Sequence, residues 1–258
     1  MTTIRMLKAG AICVFVLLAS ASATVGQGLI TDRPDFTESG VVVPTGTIQL
    51  EAGATLERFS SSGNAEIDRA TFGEALIRWW VLKRLELRFE SPNYNRISSG
   101  STTTTGFDDI RIGVKYQIGP FGEAGDFDLG VIGKFSIPTG DDDIGNNSVV
   151  PEFILSASKL LGQDISLGGQ VFASLPAGDD GRSFDWGATL VGAATVGPVG
   201  VFVEFFVEIP EEGTAPMMAH AGILLPVSLK FQLDIHGGMG LSDTAPNYFV
   251  GGGFSVAF

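Results

Sequence analysis

The chain has 258 residues, 35 of them glycine and 19 phenylalanine, with one cysteine and a formal net charge of −13. That acidic balance argues against nucleic acid as a partner, and a lone thiol excludes both a disulfide framework and a cysteine metal site. Mean hydropathy is positive, yet past the N-terminal stretch no apolar run approaches the roughly 20 residues of a helical span, so the apolar residues are interleaved with others.

Residues 1–23 read as a secretory signal. Arg5 and Lys8 supply the positive region, Ala9 to Ala19 a short apolar core, and Ala19-Ser20-Ala21 and Ala21-Ser22-Ala23 two small-x-small cleavage candidates. Cys13 lies inside this segment, so the mature chain has no thiol, and losing Arg5 and Lys8 leaves it at −15.

Residues 24–46 form the next unit. Thr31-Asp32-Arg33-Pro34-Asp35-Phe36-Thr37-Glu38-Ser39 is polar and holds a proline, which disfavours a central strand. Two readings stand: a periplasmic strap ahead of the main domain, or a latch that enters its interior and uses Asp32, Arg33 and Asp35 there.

From residue 47 to 258 the side chains alternate with a period of two, the signature of strands. Ile48, Leu50, Ala52, Ala54 and Leu56 alternate with Thr47, Gln49, Glu51, Thr55 and Glu57; Ile110, Ile112, Val114, Tyr116 and Ile118 alternate with Asp109, Arg111, Gly113, Lys115 and Gln117. Further strands are expected over 69–79, 85–90, 127–137, 152–160, 165–175, 184–196, 201–209, 217–225 and 229–239, with 92–106 as a long Ser/Thr/Asn/Gly loop. In the last stretch Tyr248, Val250, Phe254, Val256 and Phe258 share one face, an aggregation hazard in water. The tally is about twelve strands with short and long connections in strict alternation. That rhythm predicts an all-β, up-and-down antiparallel transmembrane barrel with short periplasmic turns and longer extracellular loops. Backbone groups in lipid must pair, which leaves a closed barrel once helices are excluded.

Parity assigns the charges to the lumen, because Arg or Lys facing hydrocarbon costs about 2–4 kcal/mol at the midplane. The lumen candidates are Glu74, Arg78, Glu86, Arg88, Asp109, Arg111, Lys115, Lys134, Glu204, His220, Asp234 and His236, with Glu51, Glu90, Asp128, Glu152, Glu208 and Lys230 on the same parity. A turn centred near Leu82 would set Arg78 opposite Glu86. A turn centred on Val227 would set His220 opposite Asp234 and His236 opposite Met218. The His–Asp pair raises a catalytic possibility, but no serine is spaced beside His220. A metal site of His220, His236 and Asp234 carries no more weight, so no catalytic residue, metal or cofactor is expected. Asp141, Asp142, Asp143, Asn146 and Asn147 read as a solvated acidic loop, with calcium or lipopolysaccharide bridging as the other reading.

The run Thr31-Asp32-Arg33-Pro34-Asp35 with Thr37-Glu38-Ser39, then Gln49-Leu50-Glu51-Ala52-Gly53, resembles the start of an outer-membrane transporter family labelled "MetA-pathway of phenol degradation". Arg78-Trp79 with Arg84-Leu85-Glu86-Leu87-Arg88, Asp109 with Gly113-Val114-Lys115-Tyr116, Pro138-Thr139-Gly140, Val203-Glu204 and the terminal Phe258 extend the likeness over nearly the whole mature chain. The resemblance implies a barrel in the bacterial outer membrane with a passage role. The ending at Phe258 resembles the C-terminal strand of bacterial outer-membrane barrels, which the insertion machinery reads, and a barrel there would meet outer-membrane lipid and lipopolysaccharide. Leu76, Ile132, Ile154, Phe172, Phe202, Phe206 and Leu224 on the lumen parity suggest a narrow path for small, aromatic or apolar solutes. The other reading is a barrel with a structural or phospholipase-like role.

Overall fold

In the computed structural model, residues 29–60, 66–122, 126–178 and 181–258 are described; the expected signal segment, residues 1–23, lies outside them. Twelve barrel strands follow one another: β1 (Ile48–Phe59), β2 (Ile67–Phe72 continued by Leu76–Leu82), β3 (Leu85–Glu90 continued by Tyr94–Ser99), β4 (Thr102–Phe107 continued by Ile110–Gln117), β5 (Phe127–Ile137) and β6 (Val150–Leu160). The second half comprises β7 (Ile165–Ser174), β8 (Asp185–Val196), β9 (Val199–Ile209), β10 (Met217–Ser228), β11 (Phe231–Gly240) and β12 (Tyr248–Ala257). Each pairs antiparallel with its neighbours in sequence. The sheet closes where β1 meets β12, from Gln49 opposite Ala257 to Arg58 opposite Tyr248. Closure removes the edge that the apolar C-terminal strand would otherwise expose.

Alternation sorts the side chains. Leu56, Trp79, Phe153, Leu190, Val203, Phe205 and Ile235 stand on the outer wall, while Glu51, Arg78, Glu86, Lys115, Glu204 and Ser255 are buried inside. A wall that is apolar outside and charged inside inverts the usual globular arrangement and matches a lipid-facing barrel.

The stretch 92–106 is not a loop. Tyr94–Ser99 and Thr102–Phe107 form a hairpin that pairs onto Ile67–Phe72 and prolongs β3 and β4 to the level that β1 and β2 reach at Phe59 and Ile67. Breaks at 73–75, 91–93 and 108–109 run side by side across three strands. Gly73 and Glu74 both donate to the Gly53 carbonyl, and Asp108 donates to the Asn93 carbonyl. Each break shifts the inward parity. Glu86, Arg88 and Glu90 face inward below the break, whereas Asn95 is the buried residue above it. An even run becomes an odd run, and the polar Ser/Thr composition completes the disguise. The two-residue turn at Gly100, where φ is +58°, also breaks the expected strict alternation of short and long connections.

An expected turn moves as well. β10 runs on through Ser228, with a register shift between Pro226 and Ser228, so the reversal falls at Leu229 and Lys230. Lys230 therefore sits exposed in a turn rather than in the lumen.

Candidate functional site

Residues 30–43 lie inside the barrel, and the wall supplies what their backbone needs. Buried amides and carbonyls must be paired, and this segment makes no strand, so side chains serve instead. The Asp32 and Arg33 amides donate to Glu51 Oε2 at 2.9 and 2.8 Å. The Phe36 amide donates to Glu204 Oε2 at 2.8 Å and the Thr37 hydroxyl to Glu204 Oε1 at 2.7 Å. Gln170 brackets the segment, accepting from the Glu38 amide and donating to the Phe36 carbonyl, both at 2.8 Å. The Val43 amide reaches Glu86 Oε2 at 2.8 Å.

An ion network fixes the middle of the segment. Asp32 Oδ2 accepts from Arg88 Nη1 at 2.6 Å and from Lys115 Nζ at 2.8 Å. Arg88 Nη2 holds Glu38 Oε2 at 2.6 Å. Arg78 bonds Glu86 Oε1 at 3.0 Å and Glu51 Oε1 at 3.1 Å, and donates to the Ile30 and Val41 carbonyls at 3.0 Å. Burial alone would raise the Asp32 carboxyl, but Arg78, Lys115 and Arg88 together hold it well below the ordinary carboxylate range. Burial pushes Glu38 up to about 7, although Arg88 pulls the other way. Asp35 lies well above the ordinary range through burial and the nearby charge of Glu204.

Arg33 bridges two strands that flank β1 and β12, with Nη1 3.0 Å from Glu74 and Nη2 3.3 Å from Asp234. Its guanidinium fills the space above Gly53 and Gly253, where a Cβ at either position would collide with it. Phe36 enters an aromatic cluster, with ring centroids 5.1 Å from Phe206, 4.9 Å from His220 and 5.9 Å from Phe249.

The expected cross-strand partners need correction. Arg78 stands opposite Arg88, not Glu86, because the β2–β3 reversal falls at Lys83 and Arg84, further along than Leu82; the Arg78–Glu86 ion pair forms on the diagonal. His220 stands opposite Gly238 and His236 opposite Gly222, because the β10–β11 reversal lies further along than Val227. His220 therefore never meets Asp234, whose carboxylate serves Arg33. His220 Nδ1 lies 2.9 Å from Glu204 Oε2 and Nε2 lies 2.9 Å from His236 Nδ1. A carboxylate only accepts, so in the neutral pair His220 donates to Glu204 and accepts from His236. Both His220 nitrogens are occupied, and among the described residues no group of metal ligands forms.

Other candidates do different work. Asp109 clamps a loop, accepting from the Thr139, Gly140 and Asn146 amides at 3.1, 3.0 and 2.9 Å. Asp141 of the acidic loop accepts from the Phe107 amide at 2.7 Å. Arg111 and Lys134 both reach Glu90, at 3.5 and 3.3 Å. Sequence reasoning missed Phe36 and Thr37 as anchors of the segment, and Gln170 and Thr189, whose hydroxyl meets that of Thr37, as their partners on the wall. Gln170 carried a signal, since an amide on a lumen position with no charge beside it asks for a backbone partner.

The family described as "Putative MetA-pathway of phenol degradation" matches residues 31–258. Among solved structures, an outer membrane channel from Pseudomonas putida F1 is similar at 17% identity and a TM-score of 0.67, over 85% of this chain and 98% of that one. The KdgM porin is similar at 9% identity and a TM-score of 0.54, covering 81% and 99%. The beta domain of the Bordetella autotransporter BrkA is similar at 10% identity and 0.55, covering 81% and 98%. No curated protein matches.

Proposed function

The chain belongs to the MetA-pathway of phenol degradation family, and from that footing we propose that it is a bacterial outer-membrane channel for passive diffusion of small solutes, aromatic or apolar ones among them. The observation that carries this reading is the combination of an apolar outer wall with a polar lumen occupied by residues 30–43 through side-chain hydrogen bonds and ion pairs. A barrel built only for support could close its interior with an apolar core, which costs no charge desolvation. Here the filling is a peptide segment whose contacts are the kind that water and counter-ions can replace.

Residues 24–46 act in this reading as a latch, with Asp32 and Arg33 as its two anchors and Asp35 beside Glu204. Glu51, Arg78, Glu86, Arg88, Lys115 and Glu204 form the seat. Outer-membrane lipid and lipopolysaccharide surround the apolar belt, and the insertion machinery reads the C-terminal strand that ends at Phe258. The apolar lumen side chains support passage of aromatic solutes only once Phe36 has left them, since Phe206, His220 and Phe249 are packed on that ring.

Planar-bilayer recording tests the reading. Purified protein is expected to conduct in small, fluctuating steps, and deletion of residues 24–40 to give larger, steadier ones. Silent bilayers from both forms, or identical conductance and gating, would remove the channel or the latch respectively.

A further inference from the structure

On the loop side of the docked segment the lumen opens into a cavity of about 310 Å³. This is the small end of the roughly 300–1,000 Å³ range of ligand pockets. Its polar lining is a row of cross-strand neighbours. Lys134 stands opposite Glu152, Glu152 opposite Ser174, and Ser174 opposite Asp185. Arg111 on β4 and Glu208 on β9 flank the row.

The charge is divided across this space. Arg111 and Lys134 stand on β4 and β5, and the carboxylates of Glu152, Asp185 and Glu208 on β6, β8 and β9. Lys134 is consumed, lying 3.3 Å from Glu90 and 3.5 Å from Glu152. Arg111 is not. Among the described residues it makes one contact, Nη1 to Glu90 at 3.5 Å, and its side chain is 30% exposed. A guanidinium has five donors in a fork that matches a carboxylate. On the far wall, Asp185 Oδ1 accepts from the Glu211 amide at 3.0 Å, and among the described residues Oδ2 has no partner. Among the described residues neither Asp185 nor Glu208 has a cation within ion-pair distance.

We propose that this vestibule is a binding site for small zwitterions of the amino-acid type, with the carboxylate on Arg111 and the ammonium on Asp185 and Glu208. A monoanion that reaches Arg111 also meets the acidic wall, and a monocation that reaches Glu208 also meets Arg111. Only a solute with both charges satisfies both walls, and it enters without changing the net charge of the cavity. The inference deepens the channel reading and rests on it for its meaning, since it names the solute class held at the mouth.

The test is binding by the full mature chain in detergent micelles, followed by calorimetry with three probes of one shape: L-phenylalanine, 2-phenylethylammonium and 3-phenylpropionate. L-Phenylalanine is expected to bind at least tenfold more tightly than either single-charge probe. Arg111→Gln should weaken L-phenylalanine about tenfold and leave 2-phenylethylammonium as tight or tighter. Glu208→Gln combined with Asp185→Asn should weaken L-phenylalanine similarly and leave 3-phenylpropionate as tight or tighter. Heat-modifiable mobility on gels confirms that each variant is folded, and the three-probe comparison on the unaltered chain stands if one is not. Equal binding of the three probes, tighter binding of the amine alone, no binding, or indifference of L-phenylalanine to both variants would overturn the proposal. Conductance is read separately, so a barrel that binds L-phenylalanine but never conducts sinks the channel reading and leaves the site.

Discussion

Asp32, on the segment that enters the barrel, and Arg88, on β3, are joined by a 2.6 Å contact between Oδ2 and Nη1. The same Oδ2 lies 2.8 Å from Lys115 Nζ and 3.5 Å from Arg78 Nε. One carboxylate from outside the wall thus answers three cations of the wall, and all four side chains are almost wholly buried.

Asp32→Ala follows from that arrangement. Removing one partner of a buried ion network leaves the others uncompensated, at a cost of about 3–5 kcal/mol. The cost falls on the docked state, so the segment should leave the lumen before the barrel unfolds. Limited proteolysis is expected to cut residues 29–43 faster, and single-channel conductance to rise, with heat-modifiable mobility retained.

Gly53→Val tests the seat without touching a charge. A side chain there would occupy the space of the Arg33 guanidinium, so Arg33 would lose Glu74 and Asp234 together. The expected outcome is the same faster proteolysis and larger conductance as for Asp32→Ala. A variant that keeps the parent's proteolysis rate would show that Arg33 does not hold the segment.

The pH dependence follows from Glu38, whose docked carboxyl is pushed up to about 7 from an ordinary 4.5. The docked state therefore binds more protons than the released state between those values, so docking weakens as pH rises through 7. Asp35, raised by burial and Glu204, acts in the same direction. Asp32, held low, acts oppositely and only in strong acid. Open probability is expected to increase from pH 6 to pH 8. Glu38→Gln should flatten that slope, and an unchanged slope would exclude Glu38 as its source.

The outer wall gives a prediction independent of the segment. Val203, in the middle of β9, is 61% exposed on the outer face, while its neighbour Glu204 is buried inside. Val203→Arg should destabilise the barrel in lipid by about 2–4 kcal/mol, the cost of a cation at the midplane. Reversible urea titration in liposomes measures it. A change near zero would mean that β9 does not face hydrocarbon.

Most of the wall was legible because a period of two is a local property. Ile110 to Ile118 needs no knowledge of the rest of the chain to declare its faces. The prolonged β3–β4 hairpin was not legible, because breaks at 91–93 and 108–109 reset the parity inside single strands. The cross-strand partners of Arg78, His220 and His236 were misplaced for a related reason. Register depends on where a turn reverses, and Pro226 to Ser228 carries a shift that composition does not announce.

The sequence by itself determined which side chains share a face, that the chain alternates too regularly for a helical span, and that its charges belong on the enclosed side. Only the tertiary structure decided what those charges meet. Asp32 and Lys115 are 83 positions apart, and Arg33 and Asp234 are 201. Nothing local links them. Closing the sheet brings far strands within one lumen, and a segment with no ladder of its own comes to rest where wall side chains satisfy its backbone.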